Sequence, residues 1–225
     1  MTCDRSQTAD PVNTLRLIRA AYDRRAPWFD GFVRWASLGR DSRYRAAAVD
    51  ALRLGLGGRV LDFGCGTGLD FPFLFDAVGP AGLVVGVDLS LPMLHRAQAR
   101  RIGPIGPIGL INPFLVQADG GRLRLRPGGL DAAIAAYALT TIPRWPAALE
   151  NLLAALRPGG RIAILDDRLP PGWFVGPAFM LRMTAREGWR SRTGEIRRVL
   201  EKSCEEIEMK NFHGGLIYLI TATRG

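Results

Sequence analysis

The chain has 225 residues, 48% of them hydrophobic and 23% charged, which is enough for one large domain with a full apolar core and does not require two. Its formal charge of +9 invites a nucleic-acid or anionic-membrane partner, but the cations are scattered, and all except Lys202 and Lys210 are arginines, which reads as compositional bias and not as a designed patch. Cys3, Cys65 and Cys204 are odd in number and far apart, so neither a disulfide framework nor a zinc ligand set is indicated.

At the N-terminus "MTCDRSQTAD" lacks the apolar core of a signal peptide, and no later stretch reaches the roughly eighteen apolar residues of a membrane span; a cytoplasmic protein is the expectation. From Pro11 to about Leu54 the pattern is helical, with Leu15, Ile18 and Tyr22 at helical spacing and "RAAAVDALRL" behind Asp41, read as an N-cap. The pattern then switches to short apolar runs: "RVLDF" (59–63), "LVVGVDL" (83–89), "FLVQAD" (114–119), "LDAAIAAYA" (130–138) and "RIAILDD" (161–167). Four of these runs precede a stretch able to form a helix or helical turn, including "SLPMLHRAQARR" capped by Ser90 and "WPAALENLLAALRPGG" closed by Gly159. Alternation of this kind predicts a mostly parallel sheet covered on both faces. "IGPIGPIGLINP" (102–113) reads as a surface loop, and "EEIEMKNFHGGLIYLITATR" as a closing antiparallel hairpin turning at His213, Gly214 and Gly215.

"GRVLDFGCGTGLDFPFL" (58–74) packs four glycines into its first eleven positions, three of them directly after a strand. In an open parallel sheet ligands sit beyond the carboxyl ends of the strands, and Gly64, Gly66 and Gly68 there leave the backbone open to close approach. Asp88 ends the second run, 20 residues after Gly68, where a carboxylate can accept from both hydroxyls of a ribose. Asp119 ends the third and could meet the amine of an adenine. With Asp62, three carboxylates share one edge of the sheet, which repels phosphates and suits a cationic ligand bearing adenosine.

"VLDFGCGTG", "VVGVDLS", "VQADGGRLRLRPGGLDAAIAAYAL" and "ALRPGGRIAILDD", in that order, resemble the successive motifs of class I S-adenosylmethionine-dependent methyltransferases, particularly the ubiquinone/menaquinone-biosynthesis type. "YDRRAPWFD" (22–30) is similar to the helix that covers the cofactor in that group. The resemblance implies a Rossmann-like, doubly wound α/β fold with seven strands, a C-terminal antiparallel hairpin and N-terminal helices. It divides a single domain into a helical cap (11–54), a cofactor-binding core (58–167), a substrate cap with the last helix (168–204) and the hairpin (205–225). It also implies that Gly64, Cys65, Gly66 and Gly68 lie along the methionyl and ribose portion of S-adenosylmethionine with Asp62 beside them. Asp88 would bind the ribose hydroxyls, Leu89 and Met93 would flank adenine, and Ala118 with Asp119 would meet its edge. Ala136 and Tyr137 would hold the methionine end, and Tyr22 would close the pocket from above.

A sulfonium already activates its methyl group, so an enzyme of this kind needs little more than alignment, with a base added for a hydroxyl or carbon acceptor. His95 reads as solvent-facing within its helix; His213 in the hairpin turn and Tyr137 are the candidate catalytic groups. Asp166 and Asp167 alternate across a strand and cannot readily share a metal. Cys65 has no histidine nearby in sequence and reads as space-filling. Trp173, Phe174, Phe179, Met180 and Met183 (within 169–190) could wall an apolar pocket, and the neighbouring arginines could touch an acidic group or a peripheral membrane surface. "AAYALTTIP" lacks the Asn/Asp-Pro-Pro-aromatic motif of enzymes that methylate base nitrogens, which disfavours nucleic acid and leaves a small metabolite, a quinone-like ring or a lipid amine as acceptor. Two further readings stand beside methyl transfer: a cyclase that retains the cofactor's methyl, and a non-catalytic partner subunit.

Overall fold

The computed structural model describes residues 11–100, 112–168 and 192–225. Helices α1 (Pro11–Arg25), α2 (Phe29–Ala36) and α3 (Asp41–Ala51) precede the sheet. Strands β1 (Arg59–Phe63), β2 (Leu83–Asp88) and β3 (Phe114–Gln117) follow, separated by α4 (Phe71–Val78) and α5 (Leu91–Ala99). Then come β4 (Leu130–Ala136), α6 (Trp145–Ala155), β5 (Leu156–Asp167), α7 (Thr193–Leu200), β6 (Cys204–Phe212) and β7 (Ile217–Arg224). The strand order is β3-β2-β1-β4-β5-β7-β6, parallel through β5 and antiparallel where β7 joins β5 and β6. The Rossmann-like seven-stranded sheet expected from the sequence is therefore present. The chain reverses direction across the sheet between β1 and β4, so the loop after β1 emerges where the connections diverge.

Alternation along the strands feeds two cores, one on each face. Val60, Ile134, Ala163 and Leu219 pack against Ala48 of α3, Leu52 just beyond it, and Leu74 and Val78 of α4. Leu61, Phe63, Ile162 and Ile220 pack against Leu149, Leu152 and Leu153 of α6 and Ile196 and Leu200 of α7. Phe71, Leu74, Phe75 and Val78 are the buried positions of α4, the spacing of one helical stripe.

Some boundaries differ from the sequence expectation. Asp41 is the first helical residue of α3, behind Arg40 at the cap position, and its carboxylate accepts from Arg45 Nε at 2.5 Å instead of capping the helix. Gly159 does not close α6. That helix stops at Ala155, because Pro158 restricts the residue before it and offers no N–H to continue the ladder, and Gly159 (φ +74°) turns within β5, which begins at Leu156. β3 ends at Gln117, leaving Ala118 and Asp119 in the following turn. Ser90 caps α5 as expected, accepting from Met93 N at 3.3 Å. Residues 102–111 of the Gly/Pro repeat and the whole aromatic 169–190 stretch lie outside the described residues.

One buried ionic cluster fastens α3 to the start of α4. Arg45 donates to Asp41 and, through Nη1, to Asp70 at 2.7 Å, and all three side chains are almost fully buried. Burial works against the guanidinium's charge, but Asp70 and Asp41 more than offset it and hold Arg45 protonated. Substituting Arg45→Met strands two acids in the interior and is expected to cost about 3–5 kcal/mol at pH 8, with a smaller loss at pH 5, since burial raises the Asp70 pKa. Urea unfolding at the two pH values checks this; unchanged midpoints would contradict it.

Candidate functional site

The backbone after β1 is held by its neighbours before any ligand arrives. Gly64 N and Cys65 N both donate to Val87 O, at 2.7 and 3.0 Å, which pins the loop to the end of β2. Asp88 then joins the two strand ends: one carboxylate oxygen accepts from Gly66 N at 2.9 Å and the other from Ser90 N at 2.8 Å. Burial raises the pKa of Asp88, and these amide donors oppose the rise.

The three loop glycines, all at positive φ, serve different needs. A Cβ on Gly64 would lie 2.3 Å from the Ala138 methyl, and one on Gly68 would lie 2.5 Å from the Phe71 ring, so packing of the chain itself excludes side chains at both. A Cβ on Gly66 would meet nothing within 4 Å. Gly66 is thus the place where bare backbone faces open space.

Asp62 is fully buried beneath this loop, and neither of its oxygens has a hydrogen-bond partner among the described residues. Burial, with Asp70 adding to it, pushes its pKa well up. An orphaned carboxylate costs free energy until a proton, a donor or a cation satisfies it. This donor set, with the open space at Gly66, fits a cationic group, and by that test the residues suit S-adenosylmethionine. Cys65 is 5% exposed, and its thiol is pushed up by burial and then by Asp62, so it stays protonated, as a space-filling residue would.

Other candidates gather at the same carboxyl edge. Tyr22 reaches from α1 to the side chain of Thr141 near Asp88; burial, opposed by Arg25, raises its phenol to about 12. Tyr137 follows Ala136 at the end of β4 in a left-handed conformation (φ +55°), donates its N–H to Leu165 O at 2.7 Å and lies under the Arg45 guanidinium at 5.3 Å. Burial raises its hydroxyl strongly, so it remains a neutral donor. Met93 is fully buried on α5, and Leu89, partly buried, accepts from Gln117 Nε2. Ala118 N donates to Asp88 O at 3.0 Å. Asp119 is occupied by its own turn, accepting from Gly121 N at 2.9 Å and pairing with Arg122 at 3.5 Å.

His213 lies in the β6–β7 turn at this edge, exposed, with Nδ1 3.5 Å from Tyr44 Oη. His95 is exposed on α5. Asp166 is buried, accepting from Thr140 Oγ1 at 2.7 Å and from Asp167 N at 3.0 Å, and burial raises its pKa from 3.8 to about 6. Among the described residues no group of three or more His, Cys, Asp or Glu side chains could hold a metal.

Two structural contributions were not singled out in the sequence. The first is the Arg45 cluster; its signal was an acid and an arginine four apart on a helix followed by an acid after the glycine loop. The second latches the N-terminal segment down. Ser90 Oγ donates to Asp23 at 2.6 Å, Thr67 Oγ1 donates to Asp30 at 2.5 Å, and Arg100 bonds both Asp30 and Thr67 O. An open groove of about 490 Å³ lies at the opposite edge of the sheet between Leu52–Gly58 and Glu206; its Arg157 and Arg161 are tied to Asp131 and Glu206.

A parallel sheet reversing at a glycine loop, with carboxylates at successive strand ends and two antiparallel closing strands, defines a nucleoside-binding α/β protein of class I methyltransferase architecture. Residues 60–160 match the family model described as a methyltransferase domain. The chain belongs to the class I S-adenosylmethionine-dependent methyltransferases. It is 38% identical over 152 residues to the ubiquinone/menaquinone biosynthesis C-methyltransferase of Syntrophotalea carbinolica, covering 68% of this chain and 62% of that one. It is 35% identical over 150 residues to the demethylmenaquinone methyltransferase of Thermus thermophilus, covering 65% and 64%. The match thus spans just under two thirds of these curated relatives. The fold is shared with a chain from the complex of the Haloferax volcanii Trm112 methyltransferase activator with a methyltransferase (TM-score 0.74, 16% identity, 92% and 97% covered). It is shared equally with phosphoethanolamine N-methyltransferase 2 of Haemonchus contortus in complex with S-adenosylhomocysteine (TM-score 0.72, 15% identity, 92% and 60% covered).

The glycine geometry separates folding from binding. Gly64→Ala is expected to lower stability by about 3 kcal/mol through overlap with Ala138 and left-handed strain. Gly66→Ala is expected to cost only about 1–2 kcal/mol of strain but to weaken S-adenosylmethionine binding at least about ten-fold, or 1.4 kcal/mol. Urea unfolding and calorimetry on both variants read the difference; equal effects on binding at similar stability would contradict it. Asp166 sets a second expectation. Its folded-state pKa lies above its ordinary value, so it contributes stability below pH 4 that is lost as pH rises through about 6, by up to about 3 kcal/mol. Asp166→Asn should flatten stability across that window, and an unchanged profile would contradict this.

Proposed function

We propose that the protein transfers the methyl group of S-adenosylmethionine to a small apolar acceptor of the quinone-precursor class. The observation that carries the reading is Asp62, a buried carboxylate with two unsatisfied oxygens directly under a glycine loop that opens at Gly66. In this reading Asp62 supplies countercharge to the cofactor's cationic end. Asp88, its carboxylate already oriented by Gly66 N and Ser90 N, accepts from the ribose hydroxyls with its remaining lone pairs. Leu89 and Met93 flank the adenine, and Ala118 with Asp119 borders its edge. Ala136 and Tyr137 bound the methionine end.

When bound, the cofactor supplies an electrophilic methyl on a sulfonium; the chain's own work is to orient, to exclude water and to hold protons. Tyr22 and the Asp23 and Asp30 latches bring the N-terminal helices over the loop, keeping water from the reacting centre. Tyr137, neutral at working pH, donates a hydrogen bond at the acceptor side. A carbon acceptor must also lose a proton, and in this reading His213, exposed in the hairpin turn at this edge, receives it. The acceptor class is supported by the relatives, whose names specify C-methylation in ubiquinone/menaquinone biosynthesis and methylation of demethylmenaquinone.

The test incubates the protein with methyl-labelled S-adenosylmethionine and a panel of reduced naphthoquinones, phenols and amines. Labelled naphthoquinone formed in step with S-adenosylhomocysteine supports the reading. Turnover without labelled product would point to a cyclase, and binding without turnover to a partner subunit. Asp88→Ala is expected to weaken cofactor binding by about 1–3 kcal/mol; an unchanged dissociation constant would remove Asp88 from the site.

A further inference from the structure

Helix α2 is inverted relative to an ordinary surface helix. None of its residues is buried, and its carboxylate, Asp30, points inward to Thr67 and Arg100. Trp28, Phe32 and Trp35, at three- and four-residue spacing, form a run of aromatic contacts with ring centroids 5.7 and 6.3 Å apart. Trp28 is 51% exposed and Trp35 57%. In the turn two residues beyond the helix, Leu38, a branched residue, is held at φ +52°, where glycine would be the low-strain choice, with its side chain 70% exposed. The left-handed turn thus presents an apolar side chain to solvent at the end of the aromatic run.

Charge on this segment is sorted in the same direction. Its acids turn inward: Asp23 to Ser90, Asp30 to Thr67 and Arg100, and Asp41 to Arg45. Arg24, Arg34, Arg40 and Arg43 are exposed, and none has a carboxylate partner among the described residues. Outwardly the segment is therefore cationic and aromatic, inside a chain whose formal charge is +9.

We propose that the α2 surface, Trp28, Trp35 and Leu38 with the surrounding arginines, docks on an anionic lipid bilayer. Tryptophan favours the headgroup level of a bilayer, where its ring is buried and its indole N–H stays wet, and arginines are drawn to anionic headgroups. Charge complementarity selects this occupant: an apolar protein partner alone would not use four unpaired arginines, and a neutral bilayer would not need them. The surface belongs to the segment latched over the glycine loop, so docking places the covered face of the site toward the lipid. The proposal does not depend on the acceptor assigned above, since it is read from lipid binding and not from turnover.

The full chain is floated with vesicles of phosphatidylcholine alone and of phosphatidylcholine with phosphatidylglycerol, at low and high salt. Partition to the phosphatidylglycerol vesicles, falling with salt, is expected. Arg34→Glu and Arg43→Glu should each lower it at least about five-fold, the scale of one basic residue at an anionic surface. Trp35→Ser with Leu38→Ser should lower it at least about ten-fold. Each variant is first checked for unchanged S-adenosylhomocysteine binding by calorimetry, which separates loss of docking from loss of fold or site. Absence of flotation, equal binding to neutral vesicles, or a self-association that the same variants abolish would each overturn the proposal, the last by assigning the face to a second copy of the chain.

Discussion

The Asp88 carboxylate receives two backbone N–H groups, one from Gly66 in the loop after β1, 22 residues earlier, and one from Ser90 at the start of α5. These two bonds fix how the glycine loop and the end of β2 face one another, and the rest of the site is arranged on that frame. Gly64 N and Cys65 N on Val87 O tighten it from below, and Ser90, by capping α5 and donating to Asp23, extends it to the N-terminal helices. A single acid thus links sheet, loop and cover, which is why a strand-end carboxylate matters to the frame itself.

Around that frame the protein keeps several acids out of water. Asp70 is compensated by Arg45, and Asp166 by Thr140 and the Asp167 amide, whereas Asp62 has no partner among the described residues. Burial favours the neutral form of each; Asp70 and Asp167 keep one oxygen without a partner and Asp62 both, so Asp62 is where a bound cation would restore the most. The arrangement is costly for folding and favourable for binding, a common trade at sites that must recognise charge.

Much of this was legible in the sequence because it depends on local pattern. Strand-length apolar runs alternating with helices specified the parallel sheet, and the spacing of Gly64, Gly66 and Gly68 before Asp88 placed the loop at the reversal of the sheet. Where reading failed, a specific competitor won. Asp41 looked like a cap, but Arg45 one turn on takes its carboxylate. Gly159 looked like a helix end, but Pro158 had already stopped the helix. The different duties of the three glycines were invisible, since they depend on Ala138 and Phe71 and on the open space at Gly66. The Asp30 latch could not be read either, because its partners Thr67 and Arg100 are 37 and 70 residues away.

The inward turn of Asp23 and Asp30 connects the two ends of the account, holding the cover over the loop while leaving arginine and tryptophan outside. The central claim is that the ligand is held at the carboxyl edge between Asp62, Gly66 and Asp88, and hydrogen–deuterium exchange with and without S-adenosylhomocysteine tests it most directly. Slowed exchange confined to residues 62–68 and 86–90, with the latched segment at 22–30, is the predicted result. Protection that instead appeared at the opposite edge, along Leu52–Gly58 and Glu206, with none at the glycine loop, would contradict it.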